Sequence, residues 1–255
     1  MSPVEQADKH DRNFVAAFTL LTANVPGGAT AQFGAIPVAA TGIAAAFFNA
    51  AWVVEPPDPA DLREALAFLR ARGVPYTVHV RSDLADVIRG ARDLGLSDEG
   101  RLPCFAMARG PIPPPVDGLT IERAEGARWE PFIDATVDGF GMPRGVVEHL
   151  YPPAILDDPR IRPFVGIVDG RAVATALSVR TGDTIGVYSV ATSPSARGRG
   201  FGTAMTWHLL ADADPGWEVA VLQASEMGRP IYERMGFKLV REFAELVGHS
   251  PQRAE

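Results

Sequence analysis

Apolar and polar positions alternate along the chain in two series of strand-like and helix-like segments. In residues 12–24, Phe14, Ala17, Phe18 and Leu21 share one helical face, and Pro26-Gly27-Gly28 ends the run. Residues 1–12 are polar and predict a frayed end. A short strand is expected at 29–33, and one or two buried strands within 41–54. Pro56-Pro57-Asp58-Pro59 is a break that starts a helix through Leu62, Leu66 and Leu69, closed by Gly73. A strand at 75–81, a helix at 84–94 capped by Gly95, and a strand at 102–108 complete the first series.

The second series opens with a strand at 119–124 and a helix at 129–140, where Phe132, Ile133, Thr136 and Val137 share a face. A short helix is expected at 143–151. Residues 164–168 and 172–180 alternate on either side of Asp169-Gly170, a strong local signal for a hairpin. Then come a strand at 184–192, a helix at 202–211, a strand at 219–223, a helix at 228–235 with Gly236 as its cap, and a strand at 237–247. The order repeats that of the first series. Ala91-Arg92-Asp93-Leu94-Gly95-Leu96 lies over Tyr232-Glu233-Arg234-Met235-Gly236-Phe237, as a degenerate internal duplication would place it. The run Gly110-Pro111-Ile112-Pro113-Pro114-Pro115 continues into a semi-rigid linker at 113–118. The expected fold class is α/β (an α+β mixed sheet), with two domains, 1–112 and 119–255, each a mixed sheet flanked by helices.

Composition removes several function classes. A formal charge of -7 argues against a general nucleic-acid surface and leaves room for a cationic, amine-bearing partner. The single cysteine, Cys104, excludes an intrachain disulfide framework and a cysteine-rich metal site, and no His/Asp/Glu set has metal-ligand spacing. There is no charge between Arg12 and Glu55, so residues 33–54 raise the question of a membrane span. Pro37, Thr41, Gly42 and Asn49 interrupt that stretch, and no membrane role is expected. The acids Glu5, Asp8 and Asp11 argue against a signal peptide, which makes the cytoplasm the default location.

The chemistry concentrates in residues 187–204. A strand ends at Ser193-Pro194, a helix-forming run begins near Thr203, and Arg197-Gly198-Arg199-Gly200-Phe201-Gly202 lies between them. Glycines at alternate positions remove every other Cβ, so the backbone can expose successive N–H groups to an anionic phosphate at a helix N-terminus. A Walker loop is excluded because no Gly-Lys-Ser/Thr follows. A dinucleotide fingerprint is disfavoured because Thr203 stands where a third glycine is needed, and the strand at 218–223 ends without a ribose-binding acid.

The spacing Arg197-x-x-Gly200-x-Gly202 resembles the acyl-CoA loop of the GNAT superfamily of N-acetyltransferases. Tyr232, just before Gly236-Phe237, resembles the family's second recognisable segment, and the likeness covers roughly residues 117–248. The resemblance implies a tandem GNAT protein with a degenerate first copy. That copy has acidic Glu55-Pro56-Pro57-Asp58-Pro59 in place of the glycine loop and Ala91 in place of Tyr232. It also implies acetyl-CoA as co-substrate, a small primary amine as acceptor, and no metal. Ser189, Val190 and Ala191 would pair with the pantetheine arm. Arg197, Gly198, Arg199, Gly200, Gly202 and Thr203 would hold the pyrophosphate. Ser225 would stand where many members carry an Asn, and Tyr232 would be the general acid to the leaving thiolate.

One feature departs from the family. Many members place a glutamate on the strand before the loop, whereas Gly186, Tyr188 and Ser189 stand there. The alternatives for a base are a water chain, Glu226, Asp134, Asp138 or Glu148. His149 and His208 are the only histidines near the relevant segments. The acceptor would meet the Phe140-Gly141-Met142-Pro143-Arg144 turn and residues 148–158. The missing carboxylate leaves open an acyl-CoA-binding regulatory or interaction protein without turnover. An internal second copy predicts a pseudo-symmetric monomer or a loose homodimer.

Overall fold

The computed structural model describes residues 1–213 and 215–249. In chain order the first elements are α1 (Pro3–Asn24), β1 (Ala29–Phe33), β2 (Ile36–Ala40), β3 (Asn49–Val53), α2 (Pro59–Arg70), β4 (Tyr76–Arg81), α3 (Ala85–Asp93) and β5 (Ser97–Ala108). The second series is β6 (Thr120–Arg123), α4 (Trp129–Phe140), α5 (Arg144–Leu150), β7 (Ile161–Val168), β8 (Arg171–Thr181), β9 (Thr184–Thr192), α6 (Phe201–Asp212), β10 (Val219–Gln223), α7 (Arg229–Met235) and β11 (Lys238–Gly248).

Two compact units form. One joins Met1–Ala17 to Phe105–Val240; the other joins Phe18–Cys104 to the segment from Arg241 onward. In the first unit, residues 105–108 of β5 border β10, and the strand order continues through β9, β8 and β7 to β6. β9 and β10 are parallel, joined by the crossover helix α6, whereas β6, β7, β8 and β9 pair antiparallel. Asp169 and Gly170 both have positive φ (49° and 75°), the backbone a two-residue hairpin needs between β7 and β8. α4 and α6 both pack on β8 and β9. Phe105, Phe164, Met205, Leu209 and Phe237 are fully buried in the core beneath α6 and α7. Each such side chain contributes roughly 1.5–3 kcal/mol by leaving water.

The second unit runs β1, β2, β3, β4, β11, with β3 and β4 parallel and joined by α2. Its core holds Ile36, Leu62, Leu66, Leu69, Val78 and Leu246.

The turn geometry repeats between the two series. Leu96 N–H bonds Ala91 C=O (3.2 Å) and Gly95 N–H bonds Arg92 C=O (2.9 Å) after α3. After α7, Phe237 N–H bonds Tyr232 C=O (3.0 Å) and Gly236 N–H bonds Glu233 C=O (3.1 Å). Both glycines are left-handed, with φ of 90° and 100°. Each series then ends in a strand built into the other series' sheet: β5 beside β10, β11 beside β4. The compact units divide the chain after Ala17, Cys104 and Val240.

One local expectation is corrected and one is met in its lower count. α1 begins at Pro3, not near residue 12. Ser2 is its N-cap: the Ser2 hydroxyl accepts from Glu5 N–H (3.2 Å) and the Glu5 carboxylate accepts from Ser2 N–H (2.6 Å), a capping box with proline at the first helical position. Within 41–54 only β3 is a strand, and β2 precedes that window. Asn49, fully buried, donates to the carbonyls of Ile43, Ala45 and Pro75 and accepts from Gly42 N–H, so its carboxamide satisfies a loop that cannot be strand. Among the described residues no helix is long and apolar enough to cross a membrane.

Candidate active site

β9 carries one extra residue. Leu177 of β8 pairs with Tyr188 and Thr175 pairs with Ala191, so three steps on β9 oppose two on β8. The extra residue sits at Ser189, a non-glycine with φ of 52°. Its strained backbone is held by two hydroxyls: Thr175 Oγ1 donates to Ser189 C=O (2.9 Å), and Tyr151 Oη lies 2.6 Å from Ser189 Oγ. The bulge shifts the alternation of side chains. Val187 and Val190 both pack in the core under α6, while Gly186 and Ala191 abut Asn13 of α1 and Gly139 of α4. Pairing of β9 with β10 stops at Gly186↔Val221, although the strands continue to Thr192 and Gln223. Beyond that point β9 has no β10 partner, and its amides at Ser189, Val190 and Ala191 border an opening between the strands.

The glycine loop lies at the end of β9. Gly198 and Gly200 are left-handed (φ 77° and 79°), with open space where a Cβ would stand. α6 starts after Gly200, and no side chain caps it. The first-turn N–H groups of Phe201, Gly202 and Thr203 thus have no intrahelical acceptor and carry the positive end of the helix dipole. Arg197 braces the loop: its Nε donates to Thr192 C=O (3.1 Å) and its Nη2 to Gly139 C=O (3.0 Å). Arg199 lies over the Phe201 ring at 4.6 Å and is exposed. These donors suit a pyrophosphate. At the equivalent place in the first series, Asp58 accepts from Ala60 N–H (2.7 Å), so the N-terminus of α2 is closed by its own carboxylate.

Tyr232 sits on α7, edge-on to Phe237 at 5.8 Å. Burial pushes its hydroxyl up to about 12, with the Thr206 hydroxyl, which itself donates to Gly202 C=O (3.0 Å), acting the other way. A Cβ on Gly228 would stand 3.2 Å from the Tyr232 ring. The exposed Ser225 starts this helix: its Oγ accepts from Gly228 N–H (3.2 Å) and its carbonyl from Arg229 N–H (2.9 Å).

On the opposite face of β9, Trp129 stacks on Phe132 (5.3 Å), and Phe132 meets Tyr151 edge-on (5.6 Å), which aims the Tyr151 hydroxyl at Ser189. α1 supplies groups that sequence reasoning missed. Asn13, fully buried, accepts from Tyr188 Oη (2.7 Å) and donates to Val179 C=O and Thr181 Oγ1. His10, fully buried, contacts Asp11 through Nδ1 (3.1 Å) and Gln223 through Nε2 (2.6 Å). The expectation that only His149 and His208 approach the site is therefore corrected: α1 starts nine residues before Arg12 and brings His10 to the end of β10. The Ser2-Pro3-Val4-Glu5 capping box was the available signal. His208 packs edge-on against Phe164 (5.3 Å), and burial lowers its pKa. Of the carboxylates considered as bases, Asp134 and Glu148 pair with Arg144, together with Glu130, while Asp138 and Glu226 are exposed.

Residues 129–237 match the family model of the Acetyltransferase (GNAT) family. These residues form a GNAT acetyltransferase domain. The domain contains the bulge, the loop and Tyr232, and acyl transfer is its chemistry. α1, with His10 and Asn13, lies outside it. The fold is shared with a GCN5-related N-acetyltransferase from Kribbella flavida (TM-score 0.69, 20% identity, 95% of each chain). A GCN5-related N-acetyltransferase from Sphaerobacter thermophilus also shares it (TM-score 0.64, 17% identity, 78% of this chain and 72% of that one). A tandem GNAT protein from the clavulanic acid biosynthesis pathway superposes over 94% of this chain and 95% of its own (TM-score 0.59, 11% identity). No curated protein matches the chain.

Proposed function

We propose that the protein moves the acetyl group of acetyl-CoA to a primary amine of a small acceptor. The carrying observation is the parting of β9 from β10 at the Ser189 bulge, directly before an uncapped α6 N-terminus. The N–H groups of Gly198, Gly200, Gly202 and Thr203 bind the pyrophosphate, with Arg199 adding charge and Arg197 holding the loop. The freed edge at Ser189, Val190 and Ala191 pairs with the pantetheine amides and polarises the thioester carbonyl. The acceptor nitrogen, as the free amine, attacks the carbonyl carbon; the C–N bond forms, the C–S bond breaks, Tyr232 gives its proton to the sulfur, and the proton shed by the nitrogen passes through water, which restores the phenol. A phenol held near 12 keeps that proton at neutral pH, as a general acid must.

The first copy serves as scaffold in this reading. Asp58 occupies the α2 N-terminus, β3–β4 pairing runs through Val53↔Val80 without parting, and Ala91 stands in the place of Tyr232. A tandem, cytoplasmic protein, monomeric or loosely dimeric, completes the proposal.

Thermal melting with acetyl-CoA, CoA, NAD and ATP at matched concentrations is the test, followed by amine-dependent thiol release. Stabilisation by CoA compounds alone is expected, since a ligand of the folded state raises the midpoint by mass action. No shift with CoA compounds would overturn the reading. Gly186, Tyr188 and Ser189, where the family likeness would place a strand carboxylate, favour as a second reading acyl-CoA binding without turnover. Replacing Tyr232 by Phe separates the two, because only an enzyme has a rate to lose.

A further inference from the structure

We infer that Gln223, aimed by the buried Asp11–His10 pair, is the hydrogen-bond acceptor that receives the nitrogen of the acetyl acceptor. The inference deepens the proposed transferase reading and rests on it. A carboxylate only accepts, so Asp11 Oδ1, 3.1 Å from His10 Nδ1, requires the proton on Nδ1. His10 Nε2 is then a bare lone pair. It faces the Gln223 carboxamide nitrogen at 2.6 Å, and that nitrogen only donates. The chain of donors therefore has one direction, Gln223 to His10 to Asp11, and it turns Gln223 Oε1 away from α1. Among the described residues no protein donor bonds this oxygen.

The place of Gln223 selects the ligand. It is the last residue of β10, two positions beyond Val221, where β9 and β10 part. Val219 and Val221, on its face of the strand, pack with Ala106 and Val240, apart from the α6–α7 core that holds Tyr232. Gln223 thus borders the opening from the side of α1, opposite the group assigned to the leaving sulfur. An ammonium or amine entering there meets a neutral oxygen fixed by a relay whose members are both buried, His10 fully and Asp11 at 7% exposure. Such an oxygen orients the nitrogen without holding it charged as a carboxylate would, which suits a nucleophile that must shed a proton.

Calorimetry with acetyl-CoA on the whole chain comes first; no binding would sink the transferase reading itself. CoA release is then followed with tyramine, histamine, putrescine and glucosamine as probe amines. For the amine turned over best, Gln223→Leu should raise KM about tenfold, as loss of a hydrogen bond to a charged or developing nitrogen does. Acetyl-CoA affinity should stay unchanged, and Gln223→Glu should not restore the rate, because a carboxylate has no N–H for His10 Nε2 and holds the amine charged. An unchanged amine KM, or a loss of acetyl-CoA binding instead, overturns the assignment. Nitrogen NMR of the His10 ring provides a readout that needs no turnover. A proton on Nδ1 with bare Nε2 is expected; an Nε2–H tautomer or a doubly protonated ring overturns the relay.

Discussion

A Cβ on Gly186 would stand 2.0 Å from Oδ1 of Asn13. α1 and β9 therefore share one space: the strand gives up a side chain so that a helix from the other end of the chain can place a carboxamide there. Asn13 is locked by Tyr188, Val179 and Thr181, so the clash cannot be relieved by a simple rotation. Gly186→Ala should destabilise the protein by about 1–3 kcal/mol, the usual cost of overpacking. Asn13→Ala should cost a similar amount, and the double variant clearly less than the sum, because the new Cβ meets Asn13 and the Tyr188 ring that Asn13 holds. Urea unfolding of the four proteins measures this; strict additivity would show that the contact does not matter. Gly186→Glu should lower activity, since the new group has nowhere to go.

Tyr232→Phe removes the proposed general acid and little else, because the ring keeps its edge contact with Phe237. Turnover should fall by about 10²–10³, within the range of general acid catalysis, with acetyl-CoA affinity preserved. The hydroxyl, held near 12, stays protonated well above neutral pH, so the wild-type rate should show no Tyr232-dependent alkaline limb in the ordinary assay range. A limb near pH 9 that vanishes in the Phe variant would contradict this.

Ser189 should tolerate glycine better than any β-branched residue. Its φ of 52° suits glycine, whereas Val adds strain of about 1–2 kcal/mol to the bulge. Ser189→Val should unfold at lower urea and bind acetyl-CoA more weakly. Ser189→Gly should lose only the hydroxyl contact to Tyr151 and keep cofactor binding. Equal effects of the two would mean that the backbone there is not what the cofactor reads.

His79 gives the second unit a built-in acid sensitivity. Complete burial beside Trp52 and Phe243 pushes its pKa down from 6.5 to about 3. Between those values the unfolded chain binds a proton that the folded chain refuses, so stability falls as pH drops below 6.5. The slope is about 1.4 kcal/mol per pH unit until the folded value is reached. His79→Phe should flatten that part of the profile in urea titrations between pH 6.5 and 4; an unchanged slope would assign it to other groups.

Much of the fold was legible because the signals are local. The Asp169-Gly170 turn, the Gly95 and Gly236 caps and the apolar period of α4 each act over a few residues, and the structure places them where the pattern puts them. The start of α1 was legible in principle through Ser2-Pro3-Val4-Glu5 but was hidden by the polarity of the first turns. Polarity misleads there because the helix buries polar groups, His10, Asp11 and Asn13, each with a partner.

The site divides in the same way. Gly198, Gly200 and Tyr232 stood out through segments that resemble those of the GNAT family. The glycines act through their own backbone angles, and Tyr232 through its place before a helix cap. The contact of Tyr188 with Asn13 joins residues 175 positions apart, and that of Gln223 with His10 joins residues 213 apart. The sequence by itself determined the order of strands and helices, the duplicated turns and the glycine loop, since these depend on period, cap chemistry and φ preference. Only the tertiary structure decided that each series closes the other's sheet, that β9 bulges at Ser189 and parts from β10, and that α1 packs Asn13 against Gly186. Strand pairing and side-chain packing are settled by which surfaces meet once the chain has collapsed, and no window of neighbouring residues carries that information.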